Sequence, residues 1–503
     1  MRDQLPSIEE VIASIRVYLK NNKLPAVELS TASNLDESIG LDSLAKFELL
    51  IHLENNLAVT IDPEVAGESG TLMELYHCMS VDESSAVGIA DFEQHLANSI
   101  PQLLVDVDDQ QQRSVLVNGE WVDDFASANY LGLDLHPAVV DCIDPAVRKW
   151  GVHPSWTRVV ASPGLYNELE QQLARFTGAP ETLVFPTVTL LHIGLLPLLV
   201  GADEYLLLDE RAHHSMQEAA LIVKGRDGKI EHFPHNDMDA LEELLAQLPQ
   251  EVNKIIAVDG IYSMTGGPAA LVEIVELCKF YNARVYVDDA HGFGVIGEQP
   301  DERHPYGRRG NGLVRHLDLD YEDDRIIYVG GMSKAFSSLT AFVTCISEEE
   351  KKKFCEASTW IFSGPSPTAS LASSIAGISI SDSAEGDSIR HNLYALTDRL
   401  VQGAEALGYI VENDNCFPLA SVFVGSVQDA IKACQILWEY KVLITPAVFP
   451  NVPMNESMLR FTLTAANTHE QVENVISALS EIRDALPNIP YNDSNEVNYA
   501  SNG

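Results

Sequence analysis

Two short segments of the 503-residue chain carry side chains able to do covalent chemistry at a ring and an aldehyde. Asp288-Asp289-Ala290-His291 follows the apolar run Arg284-Val285-Tyr286-Val287. Ser333-Lys334-Ala335-Phe336 follows Ile326-Ile327-Tyr328-Val329-Gly330-Gly331. Each run reads as a buried strand, so Asp288 and Lys334 stand at strand ends, where open α/β sheets place their ligands. A carboxylate there keeps a pyridine nitrogen protonated, so that the ring accepts electrons. A lysine there holds an aldehyde as a Schiff base. Together they are what pyridoxal phosphate requires.

The elements that must position these groups alternate. Strand-like runs at Leu183-Val184-Phe185, Tyr205-Leu206-Leu207-Leu208 and Lys254-Ile255-Ile256-Ala257-Val258 are separated by helical stretches such as 238–248 and 271–281. This alternation predicts a largely parallel sheet covered by helices. Beyond about residue 381 strands become fewer, and Ala420–Val424 with Met458–Leu463 suggest a smaller α+β lobe. Residues 7 to 80 read as short helices, 81–112 as a linker with a weak helix near Phe92, and 488–503 as a polar, disordered tail.

Composition narrows the class. A net charge of -42 disfavours nucleic acid and anionic membranes as partners. The greasiest stretch, 190–200, is too short to span a bilayer, and the first residues lack the apolar core of a signal peptide, so a cytoplasmic protein is expected. Seven cysteines without a Cys-x-x-Cys pair argue against a disulfide frame and a structural zinc site, and no metal is expected.

The segment Leu35-Asp36-Glu37-Ser38-Ile39-Gly40-Leu41-Asp42-Ser43-Leu44 starts a helix with a serine in its first turn. Alone it reads equally as an ordinary Asp/Ser N-cap. Within a small acidic helical unit, with Glu48 and Leu53-Glu54 following, it resembles an acyl carrier protein. That resemblance implies a four-helix carrier domain over 1–80, with a 4′-phosphopantetheine arm on Ser43 attached by a phosphopantetheinyl transferase and charged by an acyl-loading enzyme.

Around the two anchors lie Ala128-Asn129-Tyr130-Leu131-Gly132-Leu133, Asp209–Ser215 with His213, Asp259–Gly267 with Ser263, and Met458–Ala465 with Arg460. In this order, from about 123 to about 486, the pieces resemble the α-oxoamine synthases, the family of aminooxononanoate synthase and serine palmitoyltransferase. The resemblance implies a fold-type I pyridoxal phosphate-dependent transferase, with a large domain over 113–380 and a small one over 381–487. It implies that Lys334 binds the cofactor and later serves as acid and base at the substrate α-carbon, that Asp288 pairs with the pyridinium nitrogen, and that His213 stacks on the ring. His291 and Ser263 then sit near the phenolic oxygen and the substrate carbonyl, and Arg460 holds the amino-acid carboxylate. By the same likeness the protein is a homodimer in which Ser363 reaches the partner's phosphate. Taken singly, each residue has a plain structural reading: a solvated lysine, a capping aspartate, a core histidine or an ion-paired arginine.

Departures from the family pattern cluster at the phosphate and the substrate pocket. Thr187-Val188-Thr189 stands where the family has Gly followed by an aromatic residue, and Gly331 where it has threonine; Ser333 and Thr189 are the candidates to supply the hydroxyl. Thr445 stands where some members carry arginine, and His153–Arg158 replaces a glycine-rich segment. The expected reaction is decarboxylative condensation of an amino acid with a tethered acyl thioester to an α-aminoketone. An aminotransferase or lyase of the same fold, and a non-catalytic scaffold presenting the carrier, are the alternatives.

Overall fold

The computed structural model describes residues 5–22, 29–33, 43–57, 59–61, 71–80, 89–413, 415–449, 451–453 and 455–490. Its centre is a seven-stranded sheet of β1 (Glu181–Phe185), β2 (Tyr205–Asp209), β3 (Lys229–Phe233), β4 (Lys254–Asp259), β5 (Arg284–Asp288), β6 (Ile326–Gly331) and β7 (Ala341–Cys345), in the order β1-β7-β6-β5-β4-β2-β3. Pairing is parallel from β6 through β3, and β7 runs antiparallel to both β6 and β1.

Every residue of β4 and β6 is buried. Successive side chains of a strand point to opposite faces, and both faces here are covered, so apolar residues fill every position instead of every second one. Ile255, Ala257, Tyr286 and Ile327 join the core on one face. Ile256, Val258, Val285 and Val287 join the core on the other. Polar groups are thereby driven to the strand ends.

The smaller sheet comprises β8 (Val411–Glu412), β9 (Leu419–Gly425), β10 (Thr445–Ala447) and β11 (Ser457–Thr462), in the order β8-β9-β11-β10. A further sheet joins Asp109–Gln111, Ser114–Val117 and Glu120–Asp124 to Val442–Leu443. The hairpin at 114–124, expected to open the large domain, therefore pairs with the C-terminal part of the chain.

Within 1–80 the described helices are α1 (Ile8–Asn21), α2 (Ser43–Leu57) and α3 (Leu72–His77), accompanied by a two-stranded pair, Thr60–Ile61 with Met79–Ser80. A fourth, α4 (Ile89–Ser99), lies in the segment expected to be a linker; Phe92 and Leu96 are buried. Phe47 of α2 packs between Phe92 (ring centroids 6.3 Å) and Phe449 just beyond β10 (5.4 Å, edge-on). Gln102 Nε2 donates to the Cys434 carbonyl at 2.6 Å. Ser43 opens α2. The rest of its motif, residues 35–42, and most of the expected tail, 491–503, lie outside the described residues.

At the exit of β5 the chain is fixed by Asp289, which is fully buried. Its Oδ2 accepts from the Leu313 backbone N–H (2.8 Å) and from the Tyr328 hydroxyl (2.7 Å). Burial, only partly offset by these donors, pushes its carboxyl up to about 7. Between the ordinary carboxylate value near 4 and about 7 the folded protein holds a proton that the unfolded chain has lost, so stability falls as pH rises through this window. Asp289→Asn keeps both acceptor contacts and is expected to remove this slope, by roughly 4 kcal/mol between pH 4 and 8. Urea unfolding of both proteins across that range checks it; parallel profiles would refute the assignment.

Candidate active site

Strand ends of the large sheet and a strand of the small sheet bring the candidate side chains within electrostatic reach of one another. Asp259 and Asp288 are register partners at the ends of adjacent parallel strands. Both are buried, at 3% and 5% exposure. Burial and the neighbouring Asp288 carboxylate push Asp259 well above the usual carboxylate range. Asp259 Oδ1 accepts the backbone N–H of His213 at 2.9 Å, which positions that residue.

Lys334 follows β6 in a tight turn closed by Ser337 N–H to the Lys334 carbonyl at 3.0 Å. The residues after it are wedged against Gly294 (φ +95°), where a Cβ would lie 2.6 Å from Ala335 Cβ and 2.7 Å from Phe336 Cε2. Only glycine fits there. Burial lowers the Lys334 amine from its ordinary value, against the opposing carboxylates of Asp288 and Asp259. The amine and Asp288 act on each other electrostatically without forming an ion pair.

Around this axis sit three neutral histidines. His213 caps the helix α6 (His214–Lys224), taking the Ser215 N–H on Nδ1 at 3.3 Å, and burial lowers its affinity for a proton. His291 is lowered well below the usual range, by burial and by the positive charges of Lys334 and Arg460; its Nδ1 lies 2.7 Å from the Tyr130 hydroxyl. His192, on α5 (Val188–Leu199), is completely buried and pushed down to about 4, and its Nε2 lies 3.4 Å from Asp288 Oδ2.

Arg460 enters from β11 of the small sheet, with Thr445 as its cross-strand neighbour. Its Nε donates to the Ser263 carbonyl at 2.9 Å, tying the two parts of the chain together. Burial lowers its guanidinium from the ordinary value. No described carboxylate pairs with it. A buried cation left without an anion is costly unless a ligand supplies one.

Of the residues expected from sequence, Lys334, Asp288, His213, His291 and Arg460 therefore act on one another, and Ser263 joins them through its backbone carbonyl. Thr189 is the second residue of α5, whose start is capped by Thr187 Oγ1 accepting from the Leu190 N–H at 3.1 Å. The open amides of a helix start suit a phosphate. Thr189 and Ser333 are both exposed. Ser363 lies elsewhere, in an open groove of about 570 Å³ with His153, Trp156 and Phe362. Its hydroxyl donates to the Thr359 carbonyl. Asp259, His192 and Tyr130 were not assigned roles from the sequence. Asp259 had a signal, since it ends a strand as Asp288 does; His192 lay inside an apolar run and had none.

Residues 122–479 match the family model for aminotransferase class I and II. The serine palmitoyltransferase of Bacteriovorax stolpii is 31% identical over 75% of this chain and 86% of its own length. The 8-amino-7-oxononanoate synthase of Pseudomonas paraeruginosa is 31% identical over 74% of this chain and 88% of its own. Among solved structures, the Sphingomonas wittichii serine palmitoyltransferase superimposes with a TM-score of 0.72 at 25% identity, covering 80% of this chain and 98% of that one. The chain belongs to the aminotransferase class I and II family and, within it, to the α-oxoamine synthases, pyridoxal phosphate-dependent enzymes that transfer acyl groups. The family match begins at residue 122 and leaves the N-terminal helices outside it.

The cleft fits that cofactor. A lysine amine, a carboxylate within its electrostatic reach and a histidine acting on both suit an aldehyde, a pyridine nitrogen and a ring face. The departures at the phosphate end fit one another as well. A Cβ on Gly331 would lie 3.0 Å from Val188 Cγ2 and 3.0 Å from Ala290 Cβ, so the Val188 methyl takes up room that a threonine side chain at 331 would need. Gly331→Thr is expected to destabilise the protein by about 1–3 kcal/mol through overpacking. In Val188→Ala the same change should cost at least about 1 kcal/mol less, a coupling that a double-mutant cycle in urea measures. Strict additivity would show that the two sites do not share space.

Proposed function

We propose that this protein condenses an amino acid with an acyl thioester, with loss of carbon dioxide, to give an α-aminoketone. We propose further that the acyl group arrives on a 4′-phosphopantetheine arm attached to Ser43. The observation that carries the reaction class is Arg460, a half-buried guanidinium without a carboxylate partner among the described residues, within electrostatic reach of Lys334. It suits the carboxylate of an amino acid, held where the amine can reach the α-carbon. The relatives named serine palmitoyltransferase and 8-amino-7-oxononanoate synthase support the same reading.

When bound, pyridoxal phosphate supplies an electron sink for negative charge developing at the α-carbon. The chain's own groups do the rest. Asp288 holds the pyridine nitrogen protonated. His213 would stack on the ring. Lys334, its amine eased toward the neutral form by burial, removes and returns the α-proton. His291 and the Tyr130 hydroxyl at 2.7 Å offer a polar edge for the ring phenol and the thioester carbonyl. The new bond joins the α-carbon to the acyl carbonyl carbon, the thiol of the arm leaves with a proton, and the amino-acid carboxylate departs as carbon dioxide.

Carrying the donor on the same chain raises its concentration at the cleft without any new contact. The contact of Phe47 with Phe449 keeps α2 beside the small sheet that bears Arg460. A phosphopantetheinyl transferase and an acyl-loading enzyme are the partners this reading requires.

The test is intact-mass spectrometry of protein made with a phosphopantetheinyl transferase, followed by product analysis with candidate acyl groups and amino acids. Ser43→Ala should lose the arm and keep the yellow cofactor band; Lys334→Ala should keep the arm and lose at least 10³-fold in turnover. Arg460→Ala should raise KM for the amino acid at least tenfold. Release of a keto acid in place of carbon dioxide and aminoketone would mean transamination. Condensation of free thioesters by Ser43→Ala at the wild-type rate would remove the tethered donor.

Exposed apolar side chains line the Ser363 groove: Trp156 (48%), Val159 (60%) and Phe362 (84%). They support a homodimer closed over this face. Phe362→Asp is expected to weaken dimerisation at least tenfold in sedimentation analysis; an unchanged constant would place the interface elsewhere.

A further inference from the structure

Asp288 is not held alone. His192 Nε2 faces its Oδ2 at 3.4 Å. On the other side of that ring, Nδ1 lies 2.9 Å from Ser215 Oγ, and Ser215 Oγ lies 2.7 Å from His213 Nδ1. Four residues from three elements thus form one line between the carboxylate at the end of β5 and the ring that caps α6. The His192 ring is fixed edge-on against Tyr286 at 5.6 Å, two residues before Asp288 on the same strand face. His192 Nε2 makes no hydrogen bond with any described residue, so the carboxylate is the polar group it addresses.

Donor counting gives this line a direction. A neutral histidine carries one N–H and a serine one O–H. His213 Nδ1 already accepts the Ser215 backbone N–H, so it carries no proton, and the single Ser215 hydroxyl proton lies between two ring nitrogens. When that proton goes to His192 Nδ1, the His192 Nε2–H is turned toward Asp288 Oδ2 at 3.4 Å. The opposite tautomer of His192 would turn a bare ring nitrogen toward the carboxylate.

We infer that His192 and Ser215 are positioning residues for the cofactor: Ser215 holds the His192 ring, and His192 fixes the Asp288 carboxylate as the acceptor for the pyridine nitrogen. This rests on the cofactor reading above. Outer partners of this kind orient the groups that touch a bound ligand, and their loss commonly costs tenfold or more.

The test titrates the visible absorbance of the bound cofactor with pH and measures cofactor retention by dialysis. His192→Phe keeps the ring volume but removes both nitrogens. It is expected to weaken pyridoxal phosphate binding about tenfold. It should also move the midpoint of the visible band upward by about one pH unit, because a less firmly protonated pyridine draws fewer electrons from the group attached to Lys334. Ser215→Ala should move the midpoint in the same direction, while His192→Gln, whose amide can both donate and accept, should restore wild-type values. Should His192→Phe fail to fold, the Ser215→Ala and His192→Gln titrations still decide. Wild-type midpoints and affinities in the folded variants would overturn the inference. A wild-type protein that binds no pyridoxal phosphate would overturn the cofactor reading instead.

Discussion

The site depends on one electrostatic constraint, a lysine amine brought out of water beside two carboxylates at the ends of adjacent parallel strands. Each group alone would be expensive to bury. The sheet makes this unavoidable, because strands covered on both faces leave only their ends for polar side chains. Asp259 and Asp288 share a register line, so one is driven toward its protonated form while it accepts the His213 backbone N–H. Lys334 is pulled in opposite directions by burial and by these carboxylates, and burial prevails. An amine balanced in this way can serve as nucleophile, acid and base in turn.

The same constraint explains why the small sheet matters to chemistry that the large one positions. Arg460 is the cation that the acidic strand ends do not neutralise. It is held at the boundary by the Ser263 carbonyl and not by a carboxylate. Its field reaches His291 and Tyr130; burial keeps the histidine neutral, and the charges of Lys334 and Arg460 act in the same direction. Any motion of the small sheet against the large one would change the separation of Arg460 from Lys334, and with it the carboxylate-binding geometry.

Much of this was legible in the chain because parallel strands leave an uninterrupted apolar signature that stops abruptly at a polar residue. Val285–Val287 ending in Asp288, and Ile326–Val329 leading to Lys334, are of that kind. Arg460 was legible only through the family pattern, since a lone arginine in a short strand has no local signature. Two features escaped for physical reasons. The hairpin at 114–124 pairs with Val442–Leu443, more than three hundred residues away, and such long-range pairing leaves no mark in local periodicity. His192 sits in the greasiest stretch of the sequence, where a buried polar ring looks like an interruption until Asp288 and Ser215 are seen on either side of it. The N-terminal helix Ile89–Ser99 read as weak because polar residues interrupt its apolar ones; of the latter, Phe92 and Leu96 are buried.

The paired departure at Val188 and Gly331 bears on how the phosphate end of the cleft is built. A threonine beside the lysine would offer a hydroxyl on a strand end, whereas Val188 closes that space with a methyl group and leaves the strand bare. Thr187 is committed to the helix as an acceptor of the Leu190 N–H, which leaves only its O–H to donate. The burden of holding a phosphate then shifts from side-chain hydroxyls to the backbone amides at the start of Val188–Leu199, with Thr189 and Ser333 exposed beside them. Backbone amides are fixed by the helix and bind through its dipole, so affinity at this end should respond to helix capping more than to any single hydroxyl. Thr187, the cap, thereby becomes as consequential for the phosphate as a residue that touches it.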